Sequence, residues 1–177
     1  MQSIRAESVT NIFSSQIDFP IQEVLHTTVL DAGIPCGAIT QICGFGKIEA
    51  AVQIIKDNSE FKAAWIESEI ELNPLPQFSR DLNLTHIIYS KTGEHMIGAC
   101  IQLLKSNQFP IVVIKTAPLD DFLLRKLQLA AEKYKSALVI LTEDFSASWP
   151  ISLMLKAHRN LSTDTVSVEI LRRGSKF

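Results

Sequence analysis

The sequence predicts one α/β domain: a mostly parallel sheet flanked by helices, with an antiparallel strand at its C-terminal end. Short apolar runs alternate along the chain with segments of helical periodicity, the order that builds right-handed strand–helix–strand units. The last run, T-V-S-V-E-I-L at Thr165 to Leu171, instead alternates apolar with polar residues, as a half-exposed strand at or near a sheet edge does. With 177 residues, 46% of them hydrophobic, the chain suffices for one full core.

The elements follow in order. Residues 1–19 are expected to form a polar N-terminal arm whose Phe13 either folds back on its own domain, as chain-end phenylalanines more often do, or docks on a neighbour, and the domain spans 20–177. Ile21, Val24, Leu25 and Val29 recur at helical spacing, so a helix is expected from Pro20 to Leu30, with Pro20 in its first turn. Gly33-Ile34-Pro35 with Gly37 reads as a turn. Ala38 to Cys43 is an apolar run with only Thr40 and Gln41 polar, a strand covered on both faces. Gly44-Phe45-Gly46 breaks it, and Lys47 opens a helix with Ile48, Ala51, Val52 and Ile55 on one stripe. Strands are expected at Lys62 to Glu67, Thr85 to Ser90, Phe109 to Lys115 and Ser136 to Thr142, with helices at Gly93 to Ser106 and Leu119 to Lys135. Ser68 to Pro76 reads as a loop, Pro76 to Leu82 as a short helix, and Ile151 to His158 as a helix opened by Pro150.

Composition excludes several classes. A formal charge of −2 gives no pull toward nucleic acid or anionic membrane. Cys36, Cys43 and Cys100 contain no C-x-x-C pair and read as free thiols in a reducing compartment. Met1 to Asn11 has no signal-peptide apolar run, and no segment has the apolar length of a membrane span, so a cytoplasmic protein is expected. His26, His86, His95 and His158 stand apart at no ligand spacing, so no metal is expected. Ser90, Ser146 and Ser148 sit in no G-x-S-x-G elbow.

Strand, glycine bend, lysine and helix at Ala38 to Asp57 are the layout of a phosphate-binding loop. Such a loop needs G-x-x-x-x-G-K-[ST], so that a run of amides wraps a phosphate and a hydroxyl holds Mg²⁺. Here one residue separates Gly44 from Gly46, and Ile48 stands at the hydroxyl position. A tight strand-to-helix turn is the expected role of this bend, and no cofactor is expected.

The chain from about Pro20 to Arg173 resembles the core of the RecA-like recombinases. The likeness rests on V-L-D-A-G-I-P-C-G-A-I-T-Q-I-C-G at Val29 to Gly44, A-W-I-E-S-E at Ala64 to Glu69, and T-G-E-H-M-I-G-A-C at Thr92 to Cys100 followed by I-V-V-I. R-K-L-Q-L-A-A-E at Arg125 to Glu132 and the basic end at Leu171 to Arg173 are similar to a degenerate branch, ImuA, an accessory of bacterial translesion mutagenesis. The division inhibitor SulA is a more distant relative. The resemblance puts Lys115 where a strand should end in the Mg²⁺-side aspartate, and Glu69 on the water-activating glutamate. An ammonium repels the metal, so Lys115 is expected to neutralise a carboxylate such as Glu69 or to reach solvent. Glu69 is then a turn or ion-pair group.

The degenerate nucleotide site is therefore Gly44, Gly46, Lys47, Glu69 and Lys115, with no catalytic residue. The segments after the fourth and fifth predicted strands lack interleaved basic and aromatic groups, so direct nucleic-acid binding is expected to be weak or absent. The cations near the C-terminus, among them Lys156, His158, Arg159, Arg172, Arg173 and Lys176, fit a protein partner better. Partner-facing candidates are Phe13, Trp149, Arg159, Arg172 and Arg173. The expected function is a non-enzymatic adaptor of the DNA-damage response, a monomer or small oligomer that binds a recombinase or translesion polymerase components. An inhibitor of the SulA type and an ATP-binding protein with an atypical loop, using Lys47 and Glu69, are the alternatives.

Overall fold

The computed structural model describes residues 24–67, 84–89, 93–145 and 149–173. The expected arm with Phe13, the loop and short helix between Ser68 and Leu82, and Glu69 lie outside them. The described elements are β1 (Val24–Thr27), β2 (Leu30–Pro35), β3 (Ala38–Cys43), α1 (Lys47–Asp57), β4 (Ala63–Glu67), β5 (Leu84–Tyr89), α2 (Gly93–Lys105), β6 (Ile111–Lys115), α3 (Asp121–Tyr134), β7 (Ala137–Leu141), β8 (Ile151–Asn160) and β9 (Thr165–Arg173).

β1 and β2 form an antiparallel hairpin. The other strands make a seven-stranded sheet in the order β5-β4-β6-β7-β3-β8-β9. Six are parallel, and β9 returns antiparallel along β8. β3 lies between β7 and β8 and is buried along its whole length. That explains its apolar run: neither face meets water. On one face of the sheet, α1 packs Ala50, Ala51, Ile54 and Ile55 into a core shared with Leu25 and Ile34 of the hairpin and with Trp65 and Val139. On the other, α2 places Met96, Ile97, Cys100 and Leu104, and α3 places Leu124, Leu127 and Ala131, over Ile39, Ile66, Val112 and Ile140.

Local chemistry sets the helix ends. Asp120 caps α3, its carboxylate accepting the Leu123 N–H at 2.8 Å; such a cap contributes about 1 kcal/mol. At the end of α1 the Asn58 amide donates to the Ile54 and His26 carbonyls, both at 2.8 Å. Asp57 accepts the Thr27 hydroxyl at 2.8 Å and the Thr28 N–H at 2.6 Å. These bonds tie the hairpin turn to the helix.

Two expected helices are strands. The predicted Pro20 to Leu30 helix gives way, within the described residues, to β1, a turn and the start of β2. Its apolar residues fit either period, and pairing decides: Leu25 lies opposite Ile34 and both are buried beneath α1. The turn expected at Gly33 to Pro35 moves accordingly. Those residues belong to β2, and the turn is at Cys36–Gly37. The expected Ile151 to His158 helix is β8. Leu153, Leu155 and Ala157 are buried, whereas Lys156 and His158 are exposed, an alternation of period two. Parallel pairing with β3 and antiparallel pairing with β9 supply partners for its backbone. Within the described residues, the other expected strands and helices agree with the structure to within a few residues, and the C-terminal strand is antiparallel and last in its sheet.

Candidate functional site

The connection from β3 and the connection from β7 leave these adjacent parallel strands in opposite directions along the sheet, one toward β4 and the other toward β8. In open α/β sheets, ligands bind outside the strand ends at such a divergence. The glycine bend and Lys47 sit at this point, at the start of α1.

The bend is tight. The Lys47 N–H donates back to the Gly44 carbonyl at 3.2 Å, and the Ala50 N–H to that of Gly46 at 2.8 Å. Gly44 and Gly46 have φ of +90° and +118°, where side chains are strained. Space excludes side chains too. A Cβ at Gly44 would lie 2.7 Å from the Ala157 carbonyl oxygen, and one at Gly46 3.0 Å from the Arg159 nitrogen. Both glycines thus serve close packing of the bend on β8. Phe45 between them is exposed.

The Lys47 side chain, 11% exposed, forms a close ion pair with Glu143, which follows β7 and is 77% exposed. The hydrogen bond from Lys47 and its charge, with a smaller effect of Lys115, hold the Glu143 carboxyl below its usual range. Gln41, buried in β3, donates to the Thr142 hydroxyl at 2.8 Å and to the Asp144 carbonyl at 3.2 Å. It anchors the segment that carries Glu143.

Lys115 ends β6, in register with Glu67 of β4 and Leu141 of β7. Glu67 is fully buried and accepts the Trp65 indole N–H at 3.0 Å. The carboxylate in register with Lys115 in the sheet is Glu67; Glu69 lies outside the described residues. Lys47, Glu143, Lys115 and Glu67 place two cations and two anions across the ends of four neighbouring strands. The lysine at the bend is held by a carboxylate, and Ile48 after it offers no hydroxyl for Mg²⁺. Among the described residues, no cluster of His, Cys, Asp and Glu is arranged to hold a metal ion.

The chain aligns with the crystal structure of the RadB recombinase at TM-score 0.62 and 16% identity, over 88% of this chain and 92% of that one. The fold is RecA-like. At that identity the likeness concerns the fold alone. No protein-family model matches the chain, and no curated protein does. In this RecA-like frame the short bend occupies the strand-to-helix junction that the sequence singled out.

The partner-facing candidates fare differently. Arg159 is committed within the chain, to Glu49 of α1 at 2.5 Å and Asp164 of the β8–β9 turn at 2.9 Å. Arg172 donates to the Ile151 carbonyl at 2.7 Å. Arg173 ends β9, and its side chain is outside the described ones. Trp149 is 66% exposed, with the Arg125 guanidinium 4.8 Å from its ring centre. Among the three candidates whose side chains are described, Trp149 is the one that is mostly exposed.

A groove of about 540 Å³ runs between α1 and the β8–β9 turn, lined in part by Glu49, Gln53, Lys56, Arg159 and Asp164. Glu49 and Asp164 hold Arg159, and Gln53 donates to Asp57 at 2.6 Å. Its polar wall is largely satisfied from within. Sequence reasoning missed Glu143 and Glu67, because Lys47 and Lys115, which the sheet sets beside them, lie far away in the chain. The one available signal was the pair of acids directly after the Ser136–Thr142 run. Among the described residues, no helix is long and apolar enough to cross a membrane.

Proposed function

We propose that this chain is a non-enzymatic RecA-like adaptor of the DNA-damage response, resembling ImuA, that binds a recombinase, translesion polymerase components, or both. The observation that carries the reading is the Lys47–Glu143 pair. The cation that would meet the β- and γ-phosphate oxygens already has an intramolecular carboxylate, in a bend too short to wrap a phosphate. Lys115 at the strand end and Ile48 after the lysine support it. A RecA-like domain that has lost its nucleotide chemistry still has surfaces with which subunits of that fold meet one another. In this reading the protein is cytoplasmic, a monomer or small oligomer, and makes little direct contact with nucleic acid.

Size-exclusion chromatography of the purified chain with a RecA filament, and separately with the translesion polymerase components, tests the proposal. Co-elution at micromolar concentration is expected with at least one; no complex with either sinks it. Calorimetry with ATP and Mg²⁺ tests the enzymatic alternative. Saturable heat that disappears in Lys47→Ala would revive a nucleotide-binding function.

A further inference from the structure

α3 buries Leu124, Leu127 and Ala131 and turns the opposite side to solvent. At 3.6 residues per turn, Phe122, Lys126, Leu129 and Lys133 fall along one outward ridge, with Arg125 on its near flank. Phe122 is 66% exposed and Leu129 49%. An amphipathic helix ordinarily sets polar residues opposite its buried stripe; here two large apolar side chains stand there, about 10 Å apart along the axis at 1.5 Å per residue. Trp149, from the turn before β8, joins this surface through Arg125.

On the exposed side of the helix Arg125, Lys126 and Lys133 flank Phe122, Leu129 and Trp149, and two acids accompany them: Glu132, three residues after Leu129, and Asp121, four before Arg125. Cations therefore outnumber acids around these apolar groups. Each of the two aromatic rings carries a cation over its face: Lys126 at 4.4 Å on Phe122 and Arg125 at 4.8 Å on Trp149. Such stacking holds the cations next to the apolar anchors, and it occupies ring faces on which nucleic-acid bases would stack.

We propose that this ridge, with Trp149, docks an acidic amphipathic helix of a protein partner. The partner's apolar residues at i, i+3 or i+4 and i+7 seat on Phe122, Leu129 and Trp149, and its flanking carboxylates meet Arg125, Lys126 and Lys133. The inference deepens the adaptor reading, on which it rests for the partner being a protein, by naming the surface used and the chemistry it selects.

The test uses the full chain and a fluorescein-labelled helical peptide of about 18 residues, with leucine at i, i+3 and i+7 and glutamate at the flanking positions. Anisotropy is expected to show saturable binding in the micromolar range that weakens as salt rises. Phe122→Ser with Leu129→Ser, and separately Lys126→Glu with Lys133→Glu, should each weaken it at least about tenfold. Lys56→Glu, on α1 across the sheet from α3, should leave it unchanged. A peptide with lysine in place of glutamate should recover binding to the Lys126→Glu, Lys133→Glu variant, which a merely misfolded protein would not. Absent saturable binding, or binding equal in wild type and both ridge variants, overturns the proposal. So does a single-stranded oligonucleotide that binds the ridge more tightly than the peptide. Co-elution with a recombinase by a wild-type chain that ignores the peptide would remove the ridge and leave the adaptor standing. Peptide binding without any recombinase or polymerase complex would do the reverse.

Discussion

The bend at Gly44 to Lys47 and the outer ridge of α3 both interrupt the pattern of an ordinary surface, in opposite ways. At the bend, the glycine backbone and the lysine are answered from within, and Phe45 stays exposed. Two left-handed glycines pack on β8, the Lys47 amide bonds Gly44, and the Lys47 ammonium meets Glu143. On the ridge, Phe122, Leu129 and Trp149 remain in water. In this RecA-like domain the glycines and the lysine of the bend are engaged within the chain, whereas the apolar side chains of the ridge stand exposed. The contrast is measurable: changes at the bend should alter stability, and changes on the ridge should alter association.

The largest effect is expected at Gly44. Gly44→Ala combines an unfavourable φ with a contact on the β8 backbone, and urea unfolding should show a loss of about 3 kcal/mol or more. Gly98→Ala is the internal control. It lies in α2 with open space around it and should stabilise, by up to about 1 kcal/mol. Equal small effects at both glycines would mean that the bend is not packed on β8 as described.

Next in size is Asp57→Ala, which removes the acceptor of the Thr27 and Thr28 bonds. A loss of about 2 kcal/mol is expected by the same measurement. Burial alone would raise the Asp57 carboxyl, but the Thr28 amide, the Thr27 and Thr28 hydroxyls and the Gln53 amide outweigh it and hold the group below its usual range. The sign follows. This stability is fully present above the carboxylate's unfolded value, near pH 4, and is lost as pH falls through the lower folded value. The gap between wild type and Asp57→Ala should therefore close on acidification.

Glu143→Gln is expected to cost less, about 1 kcal/mol. It strips the mostly buried Lys47 of its carboxylate, but Glu143 is largely exposed and solvent screens the pair. Its acid dependence runs in the same direction as that of Asp57, because the Glu143 carboxyl is also depressed. Thermal melts should show a difference at pH 7 that narrows as pH falls below the ordinary carboxylate range. A more stable Glu143→Gln protein would mean that the pair does not hold the bend.

The smallest effect on stability belongs to the ridge. Phe122→Ser with Leu129→Ser should stay within about 0.5 kcal/mol of wild type, although the pair carries the docking surface inferred above. A loss as large as that of Gly44→Ala would show that these side chains belong to the core, and the contrast between the two regions would vanish.

The chain's own pattern determined the parallel sheet, the three described helices, the antiparallel last strand and the position of the bend. Each is written in local periodicity, and a glycine pair before a lysine needs no distant partner to be recognised. The same pattern misread β1, β2 and β8, because short apolar segments fit periods of two and of 3.6 alike. Pairing of Leu25 with Ile34, and of β8 between β3 and β9, chose between them. Only the tertiary structure brought Glu143 to Lys47, Glu67 beside Lys115, and Arg159 to Glu49. Ion pairs depend on which strand ends become neighbours. The order of strands across this sheet differs from their order in the chain, so no window of sequence contains both partners.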